Sequence, residues 1–439
     1  MGENNNNTSF VDRFAEIAGK IGSITYLQVL KNSFQSIMPL FILAGFGVLI
    51  NSVVFPLFAD GSTLTNLQTI GALINNATLN ISGILVVSMI AYNLSEFRGF
   101  GNSISSVLVA LASFFAVMPI TVDAPAVGSE DTLSVTDAVT YDIIGTNGIF
   151  AGIIIGFLAT EIFIKFSRID KLQISLGESV PSSVSKNFTV LIPVIITVGI
   201  FAIVASVLSV VWGTDLLDII ETAIQEPLKN FGTGLWGFIL IYSIGVLLFT
   251  LGIHHSVVTD SVLKPVMLIN MGENIEAASA GEEVPNIINE SFQIVFGQIG
   301  GHGGTLALIL VILIFSRYAP YKKVTQLAAG PGLFNINEPV IFGIPIVFNI
   351  VLMIPFILSP IVGILIGYFA TWIGFITPFS VLVPWTLPPL LNGYLASAGD
   401  WRVIIVQLIV ILAQCLLYLP FLKVAERSAR YQTELDETT

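Results

Sequence analysis

Apolar stretches broken by short polar segments recur along the whole chain. Apolar runs, uncharged but for Glu161 and Arg402, are centred near 32–55, 70–94, 103–120, 147–164, 187–212, 234–253, 291–316, 346–373 and 401–422. A helix needs about 20 apolar residues to cross the hydrocarbon of a bilayer, so these runs predict membrane-spanning helices. Before them, Phe10, Phe14, Ile17 and Ile21 fall at helical spacing beside Arg13 and Lys20. That pattern predicts a short amphipathic helix lying on the membrane surface. One stretch breaks the rhythm: "HHSVVTDSVLKPVMLI" is too polar for an ordinary span facing lipid. Irregular backbone at membrane depth is tolerated only where protein or a watery cavity covers it, so 254–270 is expected to line a cavity.

Composition supports this reading. The chain is 54% hydrophobic and only 10% charged, where soluble globular proteins carry roughly a quarter charged residues. The fold class expected is an all-α polytopic membrane protein, with about ten transmembrane helices, one or two re-entrant hairpins and the N-terminal amphipathic helix. The net charge of −12 argues against nucleic acid as a partner. The only cysteine, Cys415, lies inside the last apolar run, which excludes a disulfide within the chain and predicts a packed or lipid-facing thiol. The start, "MGENNNNTSF", lacks the basic region and apolar core of a cleavable signal peptide.

Lys and Arg in short loops mark the cytoplasmic side. Arg13, Lys20 and Lys31 place the N-terminus inside, and Lys423, Arg427 and Arg430 do the same for the C-terminus. Segment 121–146 holds acidic residues but no Lys or Arg, and segment 213–228 is also acidic; both are expected outside. Lys165, Arg168, Lys171 and Lys186 return the chain to the inside, as do Arg317, Lys322 and Lys323. Parity then sends 254–270 across the membrane and leaves 272–290 outside. Residues 330–345 must start and finish inside, and a re-entrant hairpin fits, with breaks at Gly330, Pro331, Gly332, Pro339, Gly343 and Pro345. "TPFSVLVPWTLPPLLNGYLASAG" is a second irregular piece that dips in from outside.

Within "GPGLFNINEPVIFGIPI", Glu338 is the only charged side chain between Lys323 and Asp400. A carboxylate at membrane depth costs several kcal/mol and is rare without a role or a partner. Pro339 biases Glu338 towards an extended conformation and can open the following helix. The carboxylate with Asn335 and Asn337 then offers donors and acceptors suited to a ligand made of hydroxyls. The bland alternative is a Glu that caps a helix or pairs with Arg317 or Lys322 at the surface. The three histidines fall in "LGIHHSVVTD" and "GQIGGHGGT". His254 and His255 are adjacent and point different ways on regular backbone, so at most one need line a site. A metal site has weak support, because the histidines lack ligand spacing and no cysteines assist. "GQIGGHGG" lacks the Lys-Ser/Thr end of a phosphate loop, and close packing or a hinge accounts better for its glycines. Asp260 and Lys264, four apart, are expected to neutralise one another. Trp236, Trp385 and Trp401 are candidate interfacial anchors, and Trp385 is equally a candidate to stack on a sugar face.

"NINEP" with "GIHH" some 80 residues earlier resembles the membrane component (enzyme IIC) of the bacterial phosphoenolpyruvate-dependent sugar phosphotransferase system, in its lactose/cellobiose/diacetylchitobiose family. The resemblance extends to "NSFQSIMPLFILAG" and covers nearly the whole chain. It implies a homodimer of ten-helix protomers. A half over 1–230 would build the dimer interface, a half over 231–424 would carry the sugar across, and 425–439 would be a cytoplasmic tail. By resemblance, Glu338 binds the hydroxyl that receives the phosphoryl group, His254 hydrogen-bonds the sugar nearby, and Asn337 lines the same pocket. The second histidine, His255, departs from the Gly-Ile-His-Gly that family members often show. The family's donor is a phosphocysteine on enzyme IIB, a cytoplasmic partner that would dock against the 165–186 or 317–326 loops. No cofactor is implied; the expected partners are a β-linked disaccharide, enzyme IIB, membrane lipid and a second copy of the chain. The competing class is a proton- or sodium-coupled secondary transporter, in which Glu338 would hold the ion.

Overall fold

Helices dominate the computed structural model, which describes residues 24–125, 132–174, 188–344 and 346–438. The amphipathic helix expected over 10–21 lies outside the described residues, as do Lys186 and Pro345. In chain order the helices are α1 (Thr25–Leu49), α2 (Gly61–Asn76), α3 (Ser82–Phe97), α4 (Ser103–Ala116), α5 (Ile149–Ser167), α6 (Leu191–Val207) and α7 (Leu216–Gly232). There follow α8 (Leu235–Thr250), α9 (Lys264–Ala280), α10 (Thr305–Phe315), α11 (Ala319–Leu333), α12 (Glu338–Gly343), α13 (Ile350–Trp372), α14 (Leu391–Ala396) and α15 (Arg402–Thr438).

Among the described residues six helical stretches are long and apolar enough to cross a bilayer, and α7 with α8 makes a seventh if the bent pair is one span. The expected run 103–120 contracts to α4, with 14 residues, and 291–316 to α10, with 11. At about 1.5 Å per residue neither reaches across a hydrocarbon core of about 30 Å by itself. The all-α expectation needs one amendment. Strands β1 (Thr121–Pro125) and β2 (Thr132–Thr136) pair antiparallel, with Thr121 opposite Thr136. Their Thr and Val residues favour extended backbone.

The described residues form two compact units. One comprises Gln28–Phe41 and Leu73–Asn230. Its centre is α3, whose Val86, Val87, Ile90, Ala91 and Leu94 are fully buried and which packs on both α4 and α5. The other holds, among the described residues, 24–27, Ile42–Ala72 and 231–438. Here α13 packs on α15 and α8, while α10 packs on α15 and α11. Gly363 and Gly367 of α13 leave room for Phe296: an added Cβ would fall 2.2 Å from its carbonyl oxygen and 2.3 Å from its ring. The non-helical stretch 375–390 is built into this unit. Phe379 and Val381 are buried, and their carbonyls accept from Asn274 Nδ2 (2.8 Å), Asn289 Nδ2 (3.0 Å) and Ser291 Oγ (2.8 Å). Buried side-chain donors thus replace the helical hydrogen bonds this segment lacks.

Candidate functional site

Helix α11 continues through Gly330, Pro331 and Gly332 to Leu333, so the break expected at those residues comes one step later, over 334–337. The Pro331 carbonyl accepts the N–H groups of Phe334 (2.9 Å) and Ile336 (3.1 Å), which closes a tight turn. Asn335 takes φ +62°, in the left-handed region that Asn tolerates better than most residues. Its buried amide is fully engaged. Oδ1 accepts from the Gly300 N–H (2.8 Å), and Nδ2 donates to the carbonyls of Trp385 (2.6 Å) and Leu387 (3.0 Å). Asn337 is also buried, and its Nδ2 donates to the His302 carbonyl at 2.6 Å. Both amides therefore bolt the turn to other parts of the unit.

Glu338 differs from its neighbours. It is exposed, and among the described residues no hydrogen bond or ion pair engages its carboxylate. The surface pairing with Arg317 or Lys322 does not form. Glu338 is the first residue of α12, so it is helical where the following proline predicted an extended backbone. Pro339 fits there because a first-turn N–H has no intrahelical acceptor, and its absence costs nothing.

The partner surface of this turn is the Gly300–Gly304 segment. Gly300, Gly301, Gly303 and Gly304 all have positive φ, from +65° to +96°. The chain is unwound and buried here, and side chains satisfy its polar groups. Tyr242 Oη donates to the Gly297 carbonyl (2.7 Å), Tyr418 Oη to Gly303 (2.5 Å) and Thr305 Oγ1 to Gly300. A Cβ on Gly301 would meet the Asn337 amide carbon at 2.6 Å, and one on Gly303 the Phe356 ring at 2.2 Å. The glycines thus serve close packing and, beyond that, an unwound backbone.

His302 is buried and stacks between Tyr242 (centroids 5.5 Å) and His255 (3.2 Å). His255 lies 4.3 Å from the ring of His254, so the two adjacent histidines share one row instead of diverging. Divergence requires regular backbone, whereas Gly252 has φ +83° and His254 precedes the helical turn at Ser256. His254 is exposed, with Nδ1 2.8 Å from Ser256 Oγ; His255 Nδ1 is 3.1 Å from Thr259 Oγ1. The histidine departure at 255 thereby acquires a structural role as the cover of His302. Trp385 is half exposed, its backbone carbonyl held by Asn335. A continuous set of contacts runs from His254 through His255, His302 and Asn337 to Asn335 and Trp385, with Glu338 beside Asn337.

The expected pairing of Asp260 with Lys264 is replaced. Lys264 Nζ lies 3.5 Å from Glu290 Oε1, and both side chains are buried. Residues 259–263 form a wide turn, so the four-residue helical spacing on which the pairing relied is absent. Glu290 stands 26 positions from Lys264, and so distant a partner leaves no local sequence signal.

A family model described as "Phosphotransferase system, EIIC" matches residues 31–360. The chain belongs to this family. A similar EIIC is the "PTS system oligo-beta-mannoside-specific EIIC component" of Bacillus subtilis (strain 168), 34% identical, the match covering 94% of this chain and 92% of that one. Another is the "Lichenan permease IIC component" of the same organism, 30% identical over 95% of this chain and 92% of the relative. Among solved structures, the transporter ChbC, the IIC component of the N,N'-diacetylchitobiose-specific phosphotransferase system, superposes with a TM-score of 0.90 at 30% identity. That match covers 97% of this EIIC chain and 99% of ChbC.

Proposed function

We propose that this EIIC binds a β-linked disaccharide of the cellobiose, diacetylchitobiose or lactose class and passes it inward for phosphorylation by a cytoplasmic phosphocysteine protein. The observation that carries this reading is the contrast within four residues. Asn335 and Asn337 spend their amides on the protein, while Glu338, which opens α12, keeps an accessible carboxylate with no partner among the described residues. His254 and the Trp385 ring are the other accessible members of the contact set, one suited to a hydroxyl and the other to a sugar face. The names of the similar proteins, β-mannosides and diacetylchitobiose among them, agree in sugar class.

In the proposed step the sugar hydroxyl attacks phosphorus, a P–O bond forms and the partner's S–P bond breaks. The sulfur leaves as thiolate, and Glu338 orients the hydroxyl and accepts its proton. The doubly charged sugar phosphate is then repelled by a site built around a carboxylate, which traps the cargo. The surrounding protomer is a ten-crossing membrane protein with re-entrant hairpins, both termini inside, acting as a homodimer.

The test is Glu338→Gln in vesicles supplied with the soluble partners. Removing the base while keeping the shape is expected to slow sugar phosphorylation by about 10²- to 10⁴-fold. Binding of the three candidate disaccharides should change far less, whereas His254→Ala should weaken binding itself. Full-rate phosphorylation by Glu338→Gln refutes the role. Uptake of unmodified sugar driven by a proton or sodium gradient refutes group translocation altogether.

A further inference from the structure

The unit that does not contain this site has a charged cavity of its own. About 470 Å³ in volume, it is lined by Arg98, Glu161, Ile162, Ile164, Lys165 and Arg168. Three cationic groups face one carboxylate there, in a chain whose net charge is −12. The carboxylate is already engaged: Arg98 Nε and Nη2 both donate to Glu161 Oε1, at 2.9 and 2.5 Å. Arg168 Nη2 donates to the Arg98 carbonyl at 2.8 Å, which fixes the guanidinium at the cavity edge. Lys165 has no hydrogen-bond or ion-pair partner among the described residues, although it projects from the last turn of α5. Its ammonium is therefore the uncommitted charge.

The wall of the cavity is apolar. Ile162 and Ile164 belong to α5, one of the helices long enough to span a bilayer, and Ile169 just beyond is exposed. Hydrocarbon wall and cationic mouth thus meet where an apolar span ends, at the boundary the Lys and Arg distribution assigns to the cytoplasmic side. Inorganic phosphate would use the charge and leave the apolar wall wet. A zwitterionic lipid would use the wall and bring its own cation to a cationic mouth. We propose that this cavity binds the headgroup of an anionic phospholipid, its phosphate on Lys165 and Arg168 and its acyl chain along Ile162.

The experiment is native mass spectrometry of the purified full-length protein in neutral detergent, titrated with phosphatidylglycerol or phosphatidylcholine. The wild type should retain one phosphatidylglycerol in preference to phosphatidylcholine. Each basic side chain contributes about fivefold, so Lys165→Gln with Arg168→Gln should weaken binding by about 25-fold. Lys165→Arg with Arg168→Lys keeps the charge and should bind within a few-fold of wild type. Lys165→Gln alone, which breaks no contact, should lose about fivefold and keeps the test valid if the double variant unfolds. Equal retention of phosphatidylcholine, or unchanged phosphatidylglycerol binding by the Gln variants, overturns the proposal. So does displacement of the lipid by inorganic phosphate at matching concentration, which would make this a free-phosphate site. Loss of phosphoryl transfer from the soluble partner with lipid binding intact would assign the patch to that partner instead, and overturns it equally.

Discussion

Gly83, Gly152 and Gly156 lie in the regular helices α3 and α5, whereas Gly300, Gly301, Gly303 and Gly304 occupy a segment with no regular structure. Both clusters are buried, and both face atoms that a side chain would strike. A Cβ on Gly152 would fall 2.7 Å from the Gly83 carbonyl oxygen, and one on Gly303 2.2 Å from the Phe356 ring. The difference lies in the backbone. In α3 and α5 glycine permits two intact helices to approach, and each helix satisfies its own N–H and C=O groups. In 300–304 positive φ ends helical bonding, and the freed groups become the attachment points for Asn335, Asn337, Tyr418 and Thr305. Helix-packing glycines build a scaffold. Unwound glycines build a socket, and the turn bearing Glu338 plugs into it.

The comparison predicts a hierarchy of damage. Gly303→Ala meets both a strained φ of +88° and a ring it cannot clear. The two penalties together should cost roughly 3 kcal/mol or more. Thermal unfolding in detergent should show a large drop, and sugar binding should vanish even at temperatures where the variant remains folded. Gly152→Ala keeps a helical φ and meets one backbone oxygen at 2.7 Å, so the overpacking cost alone, about 1–3 kcal/mol, is expected. Sugar binding per folded molecule should persist. Equal losses of melting temperature with sugar binding intact in both would erase the distinction.

Asn335 comes next. Asn335→Ala removes three hydrogen bonds and leaves the Gly300 N–H and two carbonyls without a partner. At roughly 1 kcal/mol per buried group, a loss of about 2–3 kcal/mol is expected. Asn335→Gly loses the same bonds but accepts φ +62° freely, and should recover up to about 1 kcal/mol relative to Ala. If Gly and Ala melt together, backbone strain at this turn carries no weight.

Parts of this arrangement are legible in the sequence, and the reason is local. Apolar runs announce helices because hydrophobicity is a property of neighbours along the chain. Glu338 stands out because no other charge lies near it. Four glycines within 300–304 are dense enough to signal an unusual backbone, although one glycine in α5 cannot be told from one in a turn. What stays hidden is pairing across distance. Lys264 finds Glu290, and His302 meets His255, through folds that leave no spacing to read. Asn335 and Asn337 look like ligand-facing amides in the sequence because any exposed amide would; only the acceptors show that both face backbone.

Asn337 gives the smallest effect and the sharpest test of the socket. Among the described residues its side chain makes one hydrogen bond, to the His302 carbonyl, so Asn337→Ala should cost about 1–2 kcal/mol and leave the protein folded. The consequence for the site should exceed that for stability, because the same bond fixes the residue directly before Glu338 against the histidine row. Sugar affinity and phosphorylation rate should both fall in Asn337→Ala. Asn337→Asp keeps the size but replaces the donor with a carboxylate facing a carbonyl oxygen, and should fall further on both measures. If the amide instead contacts sugar directly, the Asp variant, which still accepts from hydroxyls, should bind sugar better than the Ala variant. The order of those two affinities therefore decides between an amide that holds the turn and one that holds the ligand.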